Sequence, residues 1–197
     1  MYLEDLAHPT SFRVHRVRVR HYVPGGIYFF TVVTHQRRPI LANELSRCCL
    51  REAIQEEQEK RPFEIFAMVL LPDHLHSVWT LPNGDHDYSL RWQKIKEGFT
   101  RRYLKSGGME GASRRSRFRH RERAIWQRRF WEHTCRDDED LKRFIDYLHW
   151  NPVKHGLVTR VRDYPLSSFH RFVRLGEYQL AWGDIDPCPG WNEPEWE

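Results

Sequence analysis

His74 and His76 are the first residues in the chain whose types and spacing could do chemistry. They lie in Pro72-Asp73-His74-Leu75-His76-Ser77-Val78-Trp79-Thr80-Leu81, which reads as a strand entered through a Pro-Asp turn. On a strand, residues i and i+2 share a face with Cβ atoms about 6–7 Å apart, so two imidazoles there can hold one divalent ion. An H-x-H pair alone is weak evidence in a chain with 12 histidines, and packed or surface histidines are the plain alternative.

Tyr147 and Asn151 form the second group. They are four apart in a segment with helical periodicity and so share a face, with Arg143 a further member. Asn151 precedes Pro152, which predicts that the helix ends or kinks there. Taken alone, this pair reads equally as a half-buried aromatic and a helix cap. Combined with the histidines and a basic surface, it has the parts of a single-strand DNA nicking site. A divalent ion would polarise the scissile phosphate. The tyrosine would attack phosphorus, giving a phosphotyrosine and a free 3′-OH. A phenol, with an ordinary pKa of about 10, is also a usable leaving group, so the 3′-OH can attack back without ATP.

A polyanionic partner fits the charge of the chain. Its 197 residues carry 32 Lys+Arg and 27 Asp+Glu, a net of +5, and the distribution is uneven. Arg13, Arg16, Arg18, Arg20, Arg37 and Arg38 fall between positions 10 and 38 with no acid among them. Residues 101–130 hold eleven basic residues, including Arg114, Arg115, Arg117, Arg119, Arg128 and Arg129, against Glu110 and Glu122. The remainder is acidic, and residues 176–197 contain six acids and no Lys or Arg. Two basic surfaces on an acidic body are expected, the arginines named being the candidate DNA contacts; solvated charged faces are the alternative.

The elements that must position these residues are readable from periodicity. Strands are predicted over 27–34, 63–71 and 74–81, and a fourth within 124–135. Helices are predicted from an Asn43 cap to Lys60, over 89–105, and from Asp137 onward. The order β–α–β–β–α–β plus a helix predicts an α+β, ferredoxin-like split βαβ fold, with a central antiparallel sheet and an added C-terminal catalytic helix. The chain divides into a basic arm (1–20), a main domain (21–175) with a basic insert at about 106–123, and an acidic tail (176–197).

The chain resembles the REP-associated tyrosine transposases, within the single-tyrosine HUH endonuclease superfamily. The resemblance rests on Gly25-Gly26-Ile27-Tyr28-Phe29-Phe30-Thr31-Val32, on Leu71-Pro72-Asp73-His74-Leu75-His76, on Trp126-Gln127-Arg128-Arg129-Phe130-Trp131-Glu132-His133, and on Asp146-Tyr147 with Asn151-Pro152-Val153-Lys154-His155-Gly156. It implies His74 and His76 as metal ligands, Tyr147 as nucleophile and Asn151 as a third ligand, with Mg²⁺ or Mn²⁺ as cofactor. It implies single-stranded REP-type hairpins with a 5′ tetranucleotide as substrate, and a monomer whose tyrosine acts in cis, where the insertion-sequence relatives are dimers. A bacterial cytoplasmic, nucleoid-associated protein follows.

Two other readings use the same residues. One is a catalytically silent nucleic-acid-binding protein on this fold; the other is a small H-x-H metallohydrolase, which would leave the basic blocks without a use. Glu132, His133 and His155 are read as structural hydrogen-bonders ahead of ligands, and Trp126, Phe130 and Trp131 as core ahead of base-stacking. No apolar run approaches the roughly 18 residues a bilayer span needs. No signal-peptide pattern is present. The chain is too short for a (β/α)₈ barrel. Cys48, Cys49, Cys135 and Cys188 form no C-x-x-C pair, which points to a reducing compartment.

Overall fold

The computed structural model describes residues 25–112 and 123–187. Four strands, β1 (Ile27–Val33), β2 (Glu64–Leu70), β3 (His74–Thr80) and β4 (Trp131–Thr134), form one antiparallel sheet in the order β2-β3-β1-β4. With helices α1 (Glu44–Lys60) and α2 (Tyr88–Lys105) inserted after β1 and β3, this is the split βαβ topology.

Each side of the sheet has its own layer. Tyr28, Phe30 and Trp79 point toward α2, where Trp79 stacks on Trp92 at 4.2 Å between ring centroids. Helices α1 and α2 lie side by side, and Gly98 permits the approach: a Cβ there would come within 3.3 Å of the Ala53 Cβ. Arg91 on α2, though charged, is buried. Its guanidinium donates to the carbonyls of Arg61, Pro62 and Asp87 and to the Asp85 carboxylate, so its charge is paired and its donors are used.

The opposite face carries α3 (Asp138–Lys154), whose Phe144 lies 4.6 Å from Phe29 and whose Tyr147 also meets Phe29. Its start is capped by Asp137, which accepts from Asp140 N at 2.8 Å, and Asp138, Glu139 and Asp140 occupy the positive end of the helix dipole. The helix, expected to end or kink at Asn151-Pro152, runs through Pro152 and ends two residues later at Lys154. That proline lies in the last turn, where its ring deprives only one carbonyl of a donor, and Asn151 O still accepts from His155 N. The end is a Schellman motif: Gly156, at φ 65°, donates to Val153 O and Leu157 to Pro152 O.

Residues 166–168 pair with the outer edge of β2 and lead into α4 (Phe169–Arg174). The chain then returns to α3: Tyr178 and Trp182 stack at 4.3 Å, and the Tyr178 hydroxyl donates to Asp146. Tyr178 and Trp182 thus anchor the described part of the acidic C-terminal segment to the body, while Leu180 and Ile185 stay exposed. No helix among the described residues is long and apolar enough to cross a membrane.

Candidate active site

Strand β3 is fully covered, and alternation turns His74 and His76 toward α3 while Leu75 and Trp79 enter the other layer. The rings of the two histidines are 4.9 Å apart. Exposure is 1% for His74, 0% for His76, 2% for Tyr147 and 0% for Asn151, so two strand residues and two helix residues meet in a desolvated space.

Each histidine is oriented by its Nδ1. His74 Nδ1 lies 2.6 Å from Asp73 Oδ1, and Arg37 donates to the other carboxylate oxygen at 3.0 Å. Burial alone would raise the Asp73 carboxyl, but the hydrogen bonds and charges of His74 and Arg37 hold it at about 2. A carboxylate only accepts, so Nδ1 carries the proton and the His74 Nε2 lone pair is left facing the site. That Nε2 is buried and has no hydrogen-bond partner among the described residues.

His76 Nδ1 shares a 2.8 Å hydrogen bond with Thr31 Oγ1, its register partner on β1. Burial first, then electrostatic interaction with His74, Lys154 and His155, pushes the His76 pKa well down, against a polar contact from Asn151. The ring is thus neutral near pH 7, the form that can coordinate a metal. Apart from that contact, the Asn151 carboxamide finds no hydrogen-bond partner among the described residues. Two imidazoles and a buried amide are a donor set that suits a small divalent cation. Among the described residues no third His, Cys, Asp or Glu completes a cluster with them.

Tyr147 approaches from α3, its ring 5.4 Å from that of His76. Lys154 Nζ donates to its hydroxyl at 3.1 Å and lies 4.6 Å from its ring centroid. Asp73, Thr31 and Lys154 escaped the sequence reading. Asp73 adjoins His74 and Lys154 follows Tyr147 by seven, both legible spacings, whereas Thr31 is linked to His76 only through strand register.

The remaining candidates lie further out. Arg143 is exposed and 3.7 Å from Glu139, outside the site. His155 is exposed, with its ring 5.2 Å from that of His74. His133 bonds Asp140 at 2.8 Å, tying β4 to the start of α3, and Glu132 accepts from Tyr88. Trp126 is buried against Phe99, and Phe130 and Trp131 pack onto the core from the two sides of the sheet. Arg37 serves Asp73, and Arg38 donates to Met109 O. Arg128 and Arg129 are exposed; with Lys96, Arg101, Lys105 and Arg123, Arg128 lines a groove of about 890 Å³ beside α2. Arg13, Arg16, Arg18, Arg20, Arg114, Arg115, Arg117 and Arg119 lie outside the described residues.

The family described as "Transposase IS200 like" matches residues 23–151, a span that includes His74, His76, Tyr147 and Asn151. A REP-associated tyrosine transposase of Escherichia coli K12 is 44% identical over 167 residues, covering 84% of this chain and 90% of that protein. A solved structure of a REP-associated tyrosine transposase bound to a REP hairpin superposes with a TM-score of 0.67 at 40% identity, covering 88% of this chain and 91% of that one. The chain belongs to the IS200-like transposases and, within them, to the REP-associated tyrosine transposases, enzymes of the DNA endonuclease and transposase class.

Proposed function

We propose that this chain cleaves and rejoins single-stranded DNA at REP-type hairpins through a 5′-phosphotyrosine on Tyr147, with Mg²⁺ or Mn²⁺ as cofactor. The observation that carries the reading is the apposition, within one chain, of the Tyr147 ring and the ring of His76 at 5.4 Å. Tyrosine and histidines of the same chain meet, which supports a monomer acting in cis.

His74, His76 and Asn151 would hold the ion, which supplies polarisation of the scissile phosphate. Asp73 and Thr31 fix the two imidazoles so that no reorganisation is needed when DNA arrives. Tyr147 Oη attacks phosphorus; the new bond is Oη–P, the broken one P–O3′, and the phenolic proton leaves as the 3′-OH forms. The link is closed to water on the tyrosine side, because the ring is buried, and the 3′-OH reverses the step. The 5′ tetranucleotide lies within this reading, taken from the family resemblance. The basic groove beside α2 supports a nucleic-acid partner by charge.

The test is incubation with 3′-labelled single-stranded hairpin DNA and Mn²⁺, followed by a denaturing gel. A covalent protein–DNA adduct is expected that is absent in Tyr147→Phe. An adduct persisting in that variant would reassign the nucleophile, and tight binding with no cleavage of any REP-type hairpin would make the chain a silent binder.

A further inference from the structure

Tyr147, Asn151 and Lys154 are spaced i, i+4 and i+7, one continuous stripe on α3. The stripe thus delivers the nucleophile, a polar ligand candidate and an ammonium to one place. We propose that Lys154 is a catalytic residue of the tyrosine-transfer step, holding Tyr147 Oη and offsetting the negative charge on that oxygen as it attacks and again as it leaves. The proposal rests on the endonuclease reading above and assigns that site a further residue.

The geometry sets what Lys154 can do. An ammonium has three donors and no lone pair, so at 3.1 Å the phenol oxygen is the acceptor and its own proton points elsewhere. Lys154 therefore does not act as a base. Its contribution is electrostatic, and the surroundings enlarge it. Tyr147 is 2% exposed, and a charge–charge interaction in such a space is several times stronger than in bulk water. The ammonium also lies over the ring face at 4.6 Å, a cation–π contact that holds it in place before DNA binds. The Schellman motif at Gly156 and Leu157 pins the turn that carries it. The same charge reaches His76, where it opposes protonation.

The chemistry uses this charge in both directions. On cleavage, Oη–P forms, P–O3′ breaks, and the phenolic proton ends on the 3′ oxygen or in solvent. On rejoining, O3′–P forms and P–Oη breaks; Oη departs as a phenolate beside the ammonium, and the 3′-OH proton ends on Oη or in solvent. A purely structural lysine at a helix C-terminus would instead favour the helix dipole and leave both rates alone.

The test compares wild type, Lys154→Met and Lys154→Arg in single-turnover adduct formation and in rejoining, on saturating hairpin DNA with Mn²⁺. DNA affinity is measured separately by fluorescence anisotropy in EDTA, and folding by thermal melting. Lys154→Met is expected to slow both steps on the order of 100-fold, the effect of losing one charge-stabilising donor. Its affinity should change by less than about threefold, since the interaction belongs to the transition state. Lys154→Arg should recover most of the rate and also serves if the Met variant does not fold. Wild-type rates in Lys154→Met, or a loss confined to affinity, would overturn the proposal. So would a folded Lys154→Arg as slow as the Met variant. An inactive wild type would remove the endonuclease reading itself, and this one with it.

Discussion

Asp73 accepts the Nδ1 proton of His74 at 2.6 Å while Arg37 occupies its second oxygen at 3.0 Å, so the ring of one candidate ligand is held through a carboxylate that is itself anchored. Replacing a carboxylate of this kind commonly weakens metal binding about 10–100-fold. Asp73→Asn is therefore expected to raise the Mn²⁺ concentration for half-maximal adduct formation by that factor, because an amide can present its NH₂ group to Nδ1 and destabilise the required tautomer. A Mn²⁺ titration of the gel assay reads it directly, and an unchanged midpoint would show that Asp73 does not act through His74.

Asn151 makes a second prediction, which needs no DNA. Its carboxamide is 0% exposed and touches the site beside His76. Asn151→Asp would place an ionised or protonated carboxyl there, costly when alone and a stronger ligand for a hard cation when one is present. Without metal, Tm should fall relative to wild type; with millimolar Mn²⁺, the rise in Tm should exceed that of wild type. Equal increments in the two proteins would remove residue 151 from the ligand set.

Behind the site, His149 is fully buried, with Nε2 2.8 Å from Ser168 Oγ, a hydroxyl that also accepts from Met68 N. Burial first, and then Arg171, lowers its pKa from 6.5 to about 3. Above pH 6.5 the ring is neutral in both folded and unfolded chains, and its contribution is intact. Below 6.5 the unfolded chain takes up a proton that the folded chain refuses, so stability falls until about pH 3. The loss between pH 7 and pH 5 is about 2 kcal/mol. Urea midpoints at the two pH values should show it, and His149→Phe should flatten this part of the profile.

The sequence pattern carried the sheet, the helix starts and the principal site residues because each rests on local rules. Alternation marks β1 and β3, and the caps at Asn43 and Asp137 are side chains that accept from a backbone N–H three residues on. Arg91 and Thr31 were not legible for the opposite reason. The partners of Arg91 include carbonyls about 30 residues away, and Thr31 meets His76 across 45 residues of chain through the pairing of β1 with β3. Pro152 marked the end of the helix to within two residues, because in the last turn its missing N–H costs only one bond. Lys154 was present in the spacing, but as a helix-end cation it reads as a cap until the ring of Tyr147 is seen beneath it.

The groove beside α2 gives the last prediction. Arg101, Lys105 and Arg128 line it on the side of the sheet away from α3. If hairpin DNA runs along it, each phosphate neutralised there releases counterions, and log affinity falls with log salt by about 0.7–0.9 per contact. The triple variant Arg101→Ser, Lys105→Ser, Arg128→Ser should therefore lower the slope by about 2–3 and weaken binding at low salt far more than at high salt. Adduct formation at saturating DNA should stay near the wild-type rate, because none of the three approaches Tyr147. An unchanged slope would place the DNA backbone elsewhere on the protein, whereas a reduced slope with a reduced saturating rate would mean that the groove also sets how the scissile phosphate reaches His74 and His76.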